Sequence, residues 1–173
     1  GTGKIYEVIL TTKSGEIVNA ITAPSFLEKA NIEAPNQFTR SLSNRMMIGG
    51  IKDNQDENIN FLVFTTDFFQ NSYAGMLFWE KDMANELEDI MDYRSKIDKI
   101  NENASSTINN YFGIRGKFID KQIKNRDIRE FIHESGNPMF LYSFIDKNTL
   151  IITENEDAFS RLIDKIEKQT YIR

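Results

Sequence analysis

Apolar positions along the chain follow two rhythms, and the changes between them mark out the elements. Lys4–Thr12 (KIYEVILTT) and Glu16–Thr22 (EIVNAIT) are rich in β-branched and apolar residues, with turn chemistry at Lys13-Ser14-Gly15 between them. That arrangement predicts a β-hairpin. Pro24 and Pro35 stand where helices begin, so short helices are expected over 25–30 and 36–42, the second with Phe38 and Leu42 one turn apart. Arg45–Lys52 reads as a strand, Asp53–Asn58 as a polar loop and Ile59–Thr66 (INFLVFTT) as an apolar strand. The longest helical pattern follows, from about Phe69 into the nineties, with Asp67 or Asn71 available as its cap. Tyr73, Met76, Leu77, Met83, Ala84, Leu87, Ile90 and Met91 keep the helical period there, and Glu80 is the one lapse.

Residues 94–110 are polar, with the run NENASSTINN, and read as a fraying helix end and a loop between halves. Beyond them Phe112–Ile123 is strand-like, with a break at Gly113 or Gly116, and Arg126–His133 alternates as a second strand. After the turn Ser135-Gly136-Asn137, the runs Met139–Ile145 (MFLYSFI) and Thr149–Thr153 (TLIIT) flank Asp146-Lys147-Asn148. Glu156–Gln169 closes the chain as an amphipathic helix with Phe159, Leu162, Ile163 and Ile166 on one face.

Hairpin-connected strands with helices after them predict an α+β fold, a mostly antiparallel sheet with flanking helices. One domain over residues 4–173 is expected, with halves 4–93 and 111–173 joined by the polar segment 94–110. MMIGGI–loop–NFLVFTT–helix in the first half resembles MFLYSFI–turn–TLIIT–helix in the second. Two divergent β-β-α repeats sharing a sheet would explain this, and so would the plain recurrence of a common motif.

Composition narrows the function classes. The 13 Phe, 6 Tyr and 1 Trp suit a well-filled core, and a net charge of −5 argues against nucleic acid, which calls for a basic face. The chain has no cysteine, which removes disulfides, thiolate metal sites and thiol nucleophiles, and its single histidine, His133, removes most zinc and histidine-based designs. No apolar run approaches the roughly 18 residues that span a bilayer. The opening Gly1-Thr2-Gly3 reads as the remnant of an expression tag, so an upstream anchor or signal is expected outside this sequence.

Three stretches carry a resemblance: Phe26–Gly50 with its A-P…F-x-R-S-L run, Ser72–Leu87 with A-G-M-L-x-W-E, and Gly116–Thr153 with F-x-D…N-x-D-x-R…L-Y-S-F-x-D. They are similar to a family of uncharacterised, membrane-anchored proteins of candidate-phyla (Patescibacteria-type) bacteria, over most of residues 22–165. The resemblance implies placement outside the cytoplasmic membrane, behind a short cytoplasmic segment and a single transmembrane helix. It implies no activity and transfers no catalytic residue.

Carboxylates are the only candidates for chemistry in quantity. Asp120, Asp127, Asp146 and Glu154 fall near strand ends, yet no calcium-loop spacing appears; Asp53–Asn58 comes nearest and lacks the required glycine. His133 precedes a turn, no G-x-S-x-G or S-x-x-K motif is present, and Gly49-Gly50 is followed by no G-K-[ST]. The expectation is therefore a non-enzyme without cofactor or metal. Asp127 and Arg129 share one strand face and are expected to form a structural ion pair, with Asn125 and Asp120 as further structural polar residues. The aromatic positions Phe68, Phe69, Tyr73 and Trp79 are the candidate interface, with partly buried core the favoured reading of Trp79, a helical Trp flanked by Leu77 and Met83.

These features point first to an extracytoplasmic interaction or scaffolding domain whose partner is protein, a second copy or an envelope component. A ligand- or peptide-binding sensor with a pocket between the two units is the alternative. An acid-dependent hydrolase, the third reading, requires two carboxylates within roughly 5–10 Å in a cleft.

Overall fold

The fold is taken from a computed structural model, which describes residues 5–8, 11–14, 17–52, 57–93 and 113–170. In chain order the elements are β1 (Ile5–Val8), β2 (Thr11–Ser14), β3 (Ile17–Ala20), α1 (Ala23–Lys29), α2 (Asn36–Thr39), β4 (Leu42–Lys52) and β5 (Asn58–Thr66). Then come α3 (Phe69–Glu86), α4 (Glu88–Met91), β6 (Gly116–Ile123), β7 (Arg126–His133), β8 (Pro138–Phe144), β9 (Thr149–Thr153) and α5 (Glu156–Thr170). Seven strands form one sheet in the order β1-β4-β5-β9-β8-β7-β6, with every neighbouring pair antiparallel. The fold is α+β, as the pattern predicts. The segment 94–110, read from sequence as a fraying helix end and a loop between halves, lies outside the described residues, as do residues 53–56 of the polar loop Asp53–Asn58, whose last residue opens β5.

Local chemistry explains most boundaries. The Thr22 side chain accepts from the Ser25 amide and Pro24 occupies the first turn of α1. Lys124 and Asn125 both take positive φ, 51° and 59°, the two-residue turn whose twist matches that of the strands it joins. Three expectations need correction. The N-terminal hairpin exists, but only as β2 with β3; Ile5–Val8 leaves it to pair with Ile48–Ile51 at the edge of the large sheet. The long helix stops at Leu87 and restarts as α4, ended by Asp92 in the left-handed region. Neither Asp67 nor Asn71 caps it: the cap position is Phe68, which makes no side-chain cap bond.

Alternation along the strands divides the core between the two faces of the sheet. On one, Leu62, Phe64, Phe140, Tyr142, Leu150 and Ile152 pack under α1–α4, meeting Phe26, Phe38, Met76, Trp79 and Met83. On the other, Phe61, Ile128, Leu141 and Ile151 meet Phe159, Leu162 and Ile163 of α5. Helix α2 lies so close to α3 that a Cβ on Gly75 would come within 2.6 Å of the Phe38 backbone nitrogen.

The β-β-α order therefore recurs, as β4-β5-α3 and β8-β9-α5, and the two central strands pair symmetrically, Leu62 with Ile152 and Phe64 with Leu150. The likeness ends at the helices. A local two-fold axis through the Val63–Ile151 pair would place both on the same face, whereas α3 and α5 lie on opposite faces. The run from Leu62 to Phe69 is one residue longer than that from Leu150 to Glu156, and one residue of extended chain reverses the face.

Candidate functional site

Strand alternation brings the charged residues of the second half onto the face that carries α3. In the β6–β7 register Asp120 lies opposite Arg129 and Gln122 opposite Asp127, so all four project from one surface. Tyr142 lies opposite Arg129 on the next strand. Across from them is Glu80, the polar lapse in the apolar period of α3.

The lapse is a partner. Arg129 donates from Nε and Nη2 to the two carboxylate oxygens of Glu80 at 2.7 and 2.6 Å, and from Nη1 to Asp120 at 2.9 Å. The Tyr142 hydroxyl donates to Glu80 at 2.7 Å. A bidentate guanidinium–carboxylate pair fixes orientation as well as distance. It also shifts the ionisation of its members: the bond to Glu80 raises the pKa of Arg129, while burial raises that of Tyr142, with the bond to Glu80 adding to it. Arg129 also lies over the Phe118 ring, 5.8 Å from its centroid.

Beside this network, between the first half of α3 and the β6–β7 turn, is an open cleft of about 330 Å³. One wall is aromatic, with the Phe69 and Phe144 rings edge to face at 5.2 Å and Tyr73 within 6.0 Å of Phe144. Asp120, Asn125, Asp127 and Arg129 line the same cleft, and the β7–β8 register sets Asp127 beside Phe144. The aromatic and polar residues singled out from sequence as separate groups thus meet at one place.

Three assignments change. Trp79, counted with the candidate interface, is 1% exposed, stacked on Phe38, with its indole N–H donating to Glu86. Asp127 does not pair with Arg129, which is committed to Glu80 and Asp120; its Oδ1 accepts from the Gln122 amide instead. Asn125, expected as a structural residue, stands in the left-handed turn between β6 and β7. The aromatic residues of α3 do not form one patch, because half-buried Phe69 and exposed Phe78 are nine residues apart and point to opposite sides of the helix. Phe78 borders the Glu33–Gln37 loop, and Phe68 stands exposed at the helix start.

The remaining candidates are dispersed. Asp146 caps its own turn through the Asn148 amide, and buried Glu154 accepts from the Asn60 amide where β5 runs past β9. His133 accepts from the Ser135 amide at Nδ1 and touches the Ser135 hydroxyl at 2.8 Å, closing the turn after β7. Gly49 is buried within β4. Among the described residues no three His, Asp or Glu side chains gather as a metal site, and no helix is long and apolar enough to cross a membrane.

Sequence reasoning missed Glu80, Tyr142 and Phe144. A charge on the buried stripe of an otherwise regular helix is the signal that was available, since such a charge needs a partner. Comparison of the chain with family models, with curated proteins and with solved structures gives no match.

Proposed function

We propose that the chain is a non-catalytic interaction domain that takes a peptide segment of a partner protein in the cleft beside α3. The observation that carries this reading is the aromatic cluster of Phe69, Tyr73 and Phe144 lining one open, concave surface together with fixed polar groups. Tyr73 is 44% exposed in that position, and an aromatic ring left half in water beside polar groups suits recognition more than core packing. The separation of Phe69 from Phe78 favours a local cleft over a broad scaffolding surface. The cleft volume falls at the lower end of the range of small-ligand pockets, about 300–1,000 Å³, which suits one or two side chains of a bound segment.

A hydrolytic reading has less support. Asp120 and Asp127 both line the cleft, but the Asp120 side chain is 89% exposed and tied to Arg129, whereas an acid catalyst works from a water-poor pocket. Placement outside the cytoplasmic membrane, behind an upstream anchor, rests on the family resemblance; protease accessibility of the full-length protein in intact cells tests it.

Selection from a random peptide display library tests the binding reading. Peptides that bind the wild-type domain and lose binding to Tyr73→Asp are expected. Failure to select any peptide, or selection of peptides indifferent to Tyr73→Asp and Phe144→Ala alike, rejects it.

A further inference from the structure

The charges around the cleft say what kind of side chain it accepts. Asp120 and Asp127 line the cleft together with Arg126 and Arg129, and Glu80 stands behind Arg129 as a third carboxylate. Arg126 borders the cleft, but its guanidinium is held on the other face of the sheet, where it donates to the Ile145 carbonyl and to Glu167 of α5, so Arg129 is the cation that faces the acids. Among the described residues no cation pairs with Asp127; a neutral amide is its only side-chain donor. An excess of negative charge therefore borders the exposed faces of Tyr73 and Phe144. Arg129 cannot turn to relieve it, because its Nε and both Nη atoms already hold carboxylates.

A cation on an apolar stem complements such a place twice over: the stem packs on the rings, and the charge meets both the ring faces and the carboxylate. Resting on the binding reading above, we propose that the cleft recognises an arginine or lysine side chain of the partner peptide, with Asp127 as charge partner and Tyr73 as stacking surface. Asp120, already bound to Arg129, holds the far rim.

Backbone-amide NMR titration of the domain tests this, using N-acetyl-arginine amide, N-acetyl-lysine amide, N-acetyl-norleucine amide and N-acetyl-glutamate amide as probes. The two cationic probes should shift the amides of Asp127, Arg129 and Ser143, and the neutral and acidic ones should not. Added salt should weaken binding. Asp127→Asn and Tyr73→Leu, both at exposed positions, should each weaken it about two- to fivefold while leaving the rest of the spectrum in place. Tighter binding of arginine than lysine assigns stacking of the planar guanidinium; equal binding assigns charge alone, and both sustain the proposal. Norleucine amide binding as well as the cations overturns it while leaving the cleft as a peptide site. No shift in the cleft with any probe overturns it too, and the display experiment then decides separately whether the cleft binds a partner at all.

Discussion

The two faces of the sheet are covered in different ways. Under α5 the contacts are largely aliphatic, from Ile128, Leu141, Ile151, Leu162 and Ile163 around Phe159; most charges remain at the rim, and buried Glu130 is held by Lys121. Lys124 pairs with Asp164, Arg126 with Glu167 and Lys121 with Glu156, in each case with a carboxylate more than two-fifths exposed. Exposed pairs of this kind are worth at most about 1 kcal/mol each. Under α1–α4 the core is aromatic, with Phe118, Phe131, Phe140 and Tyr142 packed ring to ring, and the charges reach inward. Glu80 is 15% exposed and Glu86 holds the indole of a fully buried Trp79. One helix closes its face with a single stripe. The other face is covered by four helices and still leaves a cleft beside α3.

The largest effect should come from the sealed face. Phe159 is fully buried and central to the α5 contact. Phe159→Ala should cost about 3–5 kcal/mol, measured by urea denaturation followed by circular dichroism. A loss below about 1 kcal/mol would mean that α5 is not the closure of that face.

The second effect tests how tightly the aromatic face is drawn together. Alanine is favoured over glycine inside a helix by about 1 kcal/mol, so propensity alone makes Gly75→Ala stabilising. Its Cβ would meet backbone and side-chain atoms of Phe38 at 2.6–2.8 Å, and overpacking costs about 1–3 kcal/mol or more. Sterics prevail, and a net loss of about 2 kcal/mol is expected. A gain in stability would show that α2 can move off α3 without consequence.

The same contrast explains what was legible in the sequence. The α5 face was easy because one periodicity decides it: Phe159, Leu162 and Ile163 share a stripe, and the strands beneath are short apolar runs between turns. The aromatic face was harder. Arg129 has an equally plausible partner two residues away in Asp127, and only the packing of α3 across β7 makes Glu80 the partner instead. Trp79 could not be placed by period alone, since its burial depends on α2 lying over Gly75. Nor could Ile5–Val8, because a β-branched run of nine residues does not say where it changes sheets.

The third prediction uses alkaline pH to read the inward charges. Burial raises the pKa of both Tyr93 and Tyr142 above the ordinary 10.0. The unfolded chain then loses these protons first, so stability that is complete below pH 10 falls as pH rises further. Each such group contributes a slope of about −1.4 kcal/mol per pH unit. Tyr142→Phe should lose about 1–2 kcal/mol at neutral pH with its bond to Glu80, and its alkaline slope should be shallower than wild type by that amount per unit. Equal slopes would mean that Tyr142 is not desolvated, and that the aromatic face is no drier than the rim under α5.

The smallest effect has its sign set by Glu86. Burial raises the pKa of this carboxyl above the ordinary 4.5, the bond from Trp79 opposes the rise, and neighbouring Asp82 adds to it. A raised acid holds its proton more tightly when folded, so its contribution to stability is complete below pH 4.5 and is lost as pH climbs through the folded value. Glu86→Gln cannot ionise and still offers an oxygen to the indole of Trp79. Measured against wild type, the variant should therefore gain stability between pH 4 and pH 7. The gain should stay within about 0.5 kcal/mol, the range of a partly solvated site. The sign carries the weight here: a relative loss over that interval would mean that Glu86 is stabilised as the charged form, and that the carboxylates on the α3 face are no less at home than those along α5.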